Sequence, residues 1–181
     1  RQPIEPNPTL IGQKIRGKRV LVTGAGGSIG SELCRQIIRL SPENLTLLDH
    51  SEYNLYSIYE EINSYCKLNG INFSNIQAKL ASVKDFNALK KIIQNCKPET
   101  VFHAAAYKHV NIVEENVVEG IKNNIFGTLN IAELALECGI KDFILISTDK
   151  AVRPTNFMGA TKRWSELIIQ SISERAKLKG N

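Results

Sequence analysis

Residues 19–38 constrain the architecture more than any other stretch. A short β-branched run, Arg19-Val20-Leu21-Val22-Thr23, empties into Gly24-Ala25-Gly26-Gly27-Ser28-Ile29-Gly30. A helical period then starts at once through Ile29, Leu33, Ile37 and Ile38. Gly24 permits a tight turn out of the strand. Gly27 lets backbone approach a pyrophosphate, and Gly30 lets the helix pack close to the sheet. The first helical turn, with Ser28 and Ile29, offers free N–H groups and a partial positive charge to phosphate oxygens. An acid, Asp49, stands 19 residues beyond Gly30 at the end of the next apolar run. Strand before, helix after and acid downstream together predict a dinucleotide site, which the glycines alone would not.

The rest of the chain repeats the alternation. Apolar runs at Leu45–Asp49, Asn75–Leu80, Thr100–Ala105 and Asp142–Ser147 suit parallel strands buried on both faces. Between them lie helical stripes: Leu55, Ile58 and Ile62; Phe86, Leu89, Ile92 and Ile93; and a long fourth stripe from Val117 through Ile121, Ile125 and Leu129 to Leu136. A fifth runs through Trp164, Leu167, Ile168 and Ile172. This predicts an α/β fold: a doubly wound parallel sheet of Rossmann type, with right-handed crossovers and strand order 3-2-1-4-5. Residues 1–18, with Pro3, Pro6 and Pro8, read as an extended amino-terminal arm, and 19–181 as the nucleotide-binding domain.

The net charge of +5 would suggest a nucleic-acid partner if it were concentrated on one face. It sits at the ends instead. Arg1, Lys14, Arg16, Lys18 and Arg19 face only Glu5, and Arg175, Lys177 and Lys179 face only Glu174, leaving a near-neutral body. No nucleic-acid partner is expected. Cys34, Cys66, Cys96 and Cys138 show no zinc-clip or dithiol spacing and read as buried, reduced thiols of a cytoplasmic protein. The three histidines show no metal-ligating spacing. His50 reads as a surface residue and His103 as part of a buried strand.

Asp49 is placed to accept hydrogen bonds from adenosine ribose hydroxyls, and it would repel a 2′-phosphate. No Arg or Lys occurs between Asp49 and Ser64 to offset it, so NAD is expected over NADP. Ser82 and Val83, just past the third strand, are expected to flank the adenine. Three further segments converge on the carboxyl ends of strands four and five: His103-Ala104-Ala105-Ala106-Tyr107-Lys108-His109, Asn123-Asn124, and Ser147-Thr148-Asp149-Lys150 with Met158–Lys162. Lys108 and His109 are expected to face substrate phosphates or sugar.

Thr23–Gly30, the HAAA run, Asn124 and the Thr148…Lys162 spacing resemble the extended short-chain dehydrogenase/reductases. More narrowly, ISTDKAVRPTNFMGATKR, AAYKHV and DHSEYNLY resemble the UDP-N-acetylglucosamine 4,6-dehydratases of bacterial polysaccharide biosynthesis. The resemblance runs from about Lys18 to the end of the chain. It implies an NAD-dependent lyase yielding a 4-keto-6-deoxy sugar from a UDP-sugar. That chemistry needs a hydroxyl to hold the C4 oxygen, an acid for the C6 hydroxyl and a base for the C5 proton. Thr148 can supply the hydroxyl. By resemblance, Asp149 is the acid, Lys150 the C5 base and Lys162 the ligand of the nicotinamide ribose. Ala104 and Ala105 lie beside the cofactor, and Asn124 props the site. Lys150 as base would need a depressed pKa, from desolvation or from a neighbouring cation such as Lys162.

Met158 departs from the pattern, because most members carry Tyr there as the C4 base. It points to a Met-containing sub-branch and leaves the C4 base open among Asp149, Lys150 and a water held by Thr148 and Lys162. The resemblance also implies a carboxyl-terminal substrate lobe beyond residue 181, so this chain is expected to bind NAD and not necessarily to turn over sugar. Long members carry a membrane-spanning amino-terminal region, with residues 1–18 expected at its exit. A homodimer through Val117–Leu136 and Trp164–Ile172 is expected. The competing readings are a 4-epimerase or sugar dehydrogenase of the same fold, and a non-catalytic NAD-binding module.

Overall fold

A computed structural model of the chain describes residues 8–71 and 75–178. Five parallel strands form one sheet: β1 (Arg19–Thr23), β2 (Asn44–Asp49), β3 (Ile76–Leu80), β4 (Thr100–His103) and β5 (Asp142–Leu145), in the order β3-β2-β1-β4-β5. This is the expected order, and every neighbouring pair is parallel.

Alternation along β1 explains why helices cover both faces. Val20 and Val22 point into a core with Leu45, Leu47, Cys34 and Ile37, where α2 (Ser28–Arg39) and α3 (Glu52–Leu68) pack. Leu21 points the other way, to Leu89 and Ile93 of α4 (Phe86–Cys96) and to Ile131 and Leu134 of α7 (Gly127–Glu137). The carboxyl ends of β1 and β4 adjoin where the winding reverses, the place where open parallel sheets bind ligands.

Four expectations need correction. The arm read as extended contains α1 (Pro8–Ile15); residues 1–7 lie outside the described residues. Proline at a first helical position costs no hydrogen bond, so Pro8 opens this helix where it was read as a breaker. Gly17, at φ +65°, follows it and supplies the left-handed conformation that turns the chain toward β1. Ile15 is buried, Lys14 O accepts from Thr100 Oγ1 at 2.7 Å, and Lys14 Nζ pairs with Asp142 at 2.8 Å, so the helix is docked beneath the sheet.

The long fourth helix is not one regular helix. After α5 (Val110–Glu115) come α6 (Val117–Gly120), a π-helical turn (Ile121–Phe126) and α7. Its buried face carries Asn123, Asn124 and Thr128, while Ile121, Ile125 and Leu129 are half-buried. Ile29, taken as part of a buried stripe, is exposed at the mouth of a cleft, and Cys138 is exposed at the end of α7. No helix among the described residues is long and apolar enough to cross a membrane. The last helix, α8 (Phe157–Leu178), packs on α7 and carries Met158 and Lys162 in its first turns.

Candidate active site

Two clefts open along the carboxyl edge of the sheet, and both are lined by Gly27, Ala104 and Ala106. They therefore form one groove across the β1–β4 junction.

The first cleft, about 110 Å³, lies over β1 and β2. Its floor depends on glycine. Gly24 has φ +69°, and a Cβ there would stand 2.6 Å from Ala105 N. A Cβ on Gly30 would run into the Gly24 carbonyl, so the helix start sits against the turn. Gly27 differs: a Cβ there would meet only Gly24 O, at 3.3 Å, and otherwise point into open space. That open space lies at the amino terminus of α2, where Gly27 is the N-cap without a side-chain cap. A pyrophosphate fits this cradle, with first-turn N–H groups to receive it.

Asp49 borders the same cleft and is almost wholly buried. Its Oδ2 accepts from Gly26 N–H and its Oδ1 from Ser51 N–H, both at 2.9 Å. The carboxylate thus fixes the glycine turn as well as facing the cleft. Val83, expected beside the adenine, lines this cleft, while the Ser82 hydroxyl accepts from Lys84 N–H. Asn54, His50 and Tyr107 also line it, which the sequence did not single out. The His50 and Tyr107 rings meet edge to face with centroids 6.2 Å apart.

The second cleft, about 270 Å³, is lined by the helix start Ser28–Gly30 and by Thr148, Lys150, Met158, Lys162 and Lys108. Lys108 Nζ donates to Ser28 Oγ at 3.1 Å across its mouth. His109 is exposed at the N-cap of α5 and lines neither cleft. Thr148 caps a short 3₁₀ turn, Asp149–Ala151, and its hydroxyl donates to Asp149 Oδ1 at 2.9 Å. That bond, then the Lys150 charge, holds the Asp149 carboxyl below its ordinary range. Lys150 is exposed, so the desolvation sought for it falls on Lys162 instead. Burial pushes Lys162 down to about 8, and its ammonium donates to Ile146 O at 2.6 Å. Met158 is buried one turn before it. Glu166, missed from sequence, accepts from Ser147 Oγ at 2.6 Å and ties α8 to the end of β5.

Asn124 lies in the π turn. Its Oδ1 accepts from Tyr107 N–H and Asn123 Nδ2, and its Nδ2 donates to Tyr107 O and Thr161 Oγ1. All its polar capacity is spent on protein, so it props the Tyr107 loop and α8, leaving nothing for a direct ligand bond. Among the described residues there is no cluster able to hold a metal ion.

Sheet order, glycine turn and groove define a Rossmann domain with a nucleotide-type cleft. The chain belongs to the polysaccharide biosynthesis protein family, whose match covers residues 20–180. It is similar to the capsular polysaccharide biosynthesis protein CapD of Staphylococcus aureus, at 47% identity over 96% of this chain and 28% of that protein. A UDP-N-acetylglucosamine 4,6-dehydratase (inverting) of Campylobacter jejuni is 32% identical over 83% of this chain and 42% of its own length. A UDP-glucose 4-epimerase of Rickettsia bellii is 30% identical over 82% and 42%. Among solved structures, Pen from Bacillus thuringiensis superposes with TM-score 0.78 at 30% identity, covering 88% of this chain and 48% of that one. The chain thus spans less than half the length of these proteins.

Proposed function

We propose that this chain is the NAD-binding part of a nucleotide-sugar 4,6-dehydratase acting on UDP-N-acetylglucosamine in surface polysaccharide biosynthesis. The observation that carries the reading is that Thr148, Lys150, Met158 and Lys162 line one cleft with the glycine helix start. Bound NAD would supply reversible hydride acceptance there. Gly27, Ser28 and Ile29 would hold its pyrophosphate, Asp49 its adenosine ribose and Lys162 its nicotinamide ribose, with Val83 against the adenine and Ala104 and Ala105 along its length. Lys108 would meet the substrate diphosphate.

Thr148 orients the sugar hydroxyl at C4. Met158 cannot take its proton, because a thioether has no basic site of useful strength. Lys162, brought down to about 8 by burial, is a group that can share that proton through a water held with Thr148. Asp149 is ionised while Thr148 donates to it, so to act as the acid it would first take up the proton that the C4 hydroxyl of the sugar gives up on oxidation, and then pass that proton to the departing C6 hydroxyl. Lys150, exposed on the cleft wall, would be the C5 base once bound sugar covers it. A homodimer pairs the α6–α7 segment with α8, where Trp164 and Leu167 are exposed.

A second reading, a nucleotide-sugar 4-epimerase, has the Rickettsia relative in its favour. Epimerisation needs neither an acid for the C6 hydroxyl nor a C5 base, which makes Asp149 and Lys150 the discriminating pair. Incubation of the chain, extended to the length of its relatives, with UDP-N-acetylglucosamine separates the two. Loss of one water and a new C6 methyl doublet in the proton spectrum support dehydration. An unchanged mass with inverted C4 supports epimerisation and overturns the dehydratase reading.

A further inference from the structure

His103 ends β4 and is completely enclosed, yet it lines neither cleft. Its ring is held at both nitrogens. Nδ1 lies 2.6 Å from Thr23 Oγ1, at the end of β1, and Nε2 lies 3.0 Å from Thr128 Oγ1, in the first turn of α7. The distances point to a direction for each bond, since Thr128 Oγ1 lies 3.3 Å from Ser165 Oγ and closer to a carbonyl. Thr128 owns one hydroxyl proton, and its shortest acceptor is Asn124 O at 2.6 Å. That leaves Thr128 only a lone pair for His103, so Nε2 carries the imidazole proton and donates. Nδ1 is then bare and accepts the Thr23 hydroxyl proton. Burial keeps the ring neutral, pushing it down to about 3, with the Lys162 charge acting in the same sense.

Asn124 O lies inside the π turn and accepts from Ser165 Oγ of α8 as well, at 2.8 Å. One relay therefore runs from the strand that launches the glycine turn to the π turn and α8. We propose that His103, as the Nε2–H tautomer, is a positioning residue that holds the π turn open through Thr128 and so sets Asn124, the prop of the Tyr107 loop and of Thr161. Without the ring, Thr128 is held only from the side of Asn124 O and Ser165 Oγ, and the turn loses the contact that ties it to β4. This rests on the cleft being a ligand site only for the last of the readouts below.

The test uses protein with nitrogen-labelled histidine and asparagine. Long-range proton–nitrogen correlation must show His103 protonated at Nε2 and bare at Nδ1. Protonation at Nδ1 overturns the proposal. Thr128→Val and His103→Phe should displace the Asn124 side-chain amide signals and speed their exchange about tenfold, the equivalent of one lost hydrogen bond. His103→Gln, which can accept at Oε1 and donate at Nε2, should restore both. A merely structural histidine gives the other pattern: all three variants lose stability while the Asn124 amide stays where it was, and that result overturns the proposal. Thr23→Val removes the partner of Nδ1 while leaving Thr128 and Asn124 untouched, and carries the test by the same Asn124 signals if His103→Phe does not fold. NAD titration of the same variants should weaken in step with the Asn124 signal. If wild-type protein binds no NAD, the dinucleotide reading falls, and the tautomer and the Asn124 signal still decide this one.

Discussion

The ammonium of Lys162 donates to the carbonyl of Ile146 at 2.6 Å, joining the first turns of α8 to the residue that precedes Ser147 and Thr148. The bond aims a buried cation at the segment expected to carry the chemistry. Burial lowers Lys162 to about 8, and Glu166 opposes that shift.

Lys162 should accordingly titrate near pH 8, followed by nitrogen NMR of labelled lysine. The folded chain releases this proton before the unfolded one does, so stability should rise with pH between about 8 and the ordinary lysine value of 10.5. Lys162→Met should flatten that rise in denaturant titrations. Glu166→Gln should move the titration further down; an upward move would contradict the placement of Glu166.

His103 imposes an acid limit by the same rule. Its folded value, about 3, lies below the ordinary 6.5, so the unfolded chain takes up a proton first as pH falls. Stability should be full above about pH 6.5 and decline toward pH 3, at up to roughly 1.4 kcal/mol per unit. His103→Gln should remove that part of the slope, read from urea midpoints across the window.

The glycines should divide by effect. Gly27→Val fills open space and should abolish NAD binding, measured by calorimetry, with the unfolding midpoint little changed. Gly30→Ala drives a methyl into the Gly24 carbonyl and should cost several kcal/mol of stability, as overpacking against backbone does.

Calorimetry should also show NAD bound more tightly than NADP, and Asp49→Asn should narrow the gap. The same change weakens the hold on Gly26 and Ser51, so a drop in the unfolding midpoint should accompany it. Equal affinities in the wild type would show that Asp49 does not select the cofactor.

In the chain extended to the length of its relatives, Asp149→Asn and Lys150→Ala should abolish dehydration and leave NAD affinity intact. Ile168→Glu should shift a dimer to monomer in sedimentation. A monomer both before and after the substitution would discard the helix pairing.

The sheet, its order and the glycine turn were legible in the sequence because periods of two and of about 3.6 alternate cleanly from Arg19 onward. The clustering of Thr148, Lys150, Met158 and Lys162 was legible too, since strand ends and helix starts converge in such a fold. Other features depend on three-dimensional proton bookkeeping. Nothing in the spacing of Ser147 and Glu166 announces their bond, and Asn124 could not be seen to be saturated. The helix α1 was hidden because Pro8, its first residue, follows Pro3 and Pro6 in the sequence. The π turn was hidden because its stripe of Val117, Ile121, Ile125 and Leu129 is four residues apart throughout, as in an ordinary helix.

That turn makes residue count, as well as residue identity, part of the design. Gly127 N–H reaches Lys122 O, five residues back, so the segment holds one residue more than an α-helix of the same rise would need. Deleting a single residue between Ile121 and Phe126 would let the turn close into a regular α-helix of the same rise, with α6 and α7 keeping their places. Asn124 would then leave the Tyr107 loop while Ile131 and Leu134 kept their places in the core. Such a deletion variant is expected to fold with its sheet intact and its groove unsupported, so the capacity to bind is separable from the capacity to fold by a length change of one.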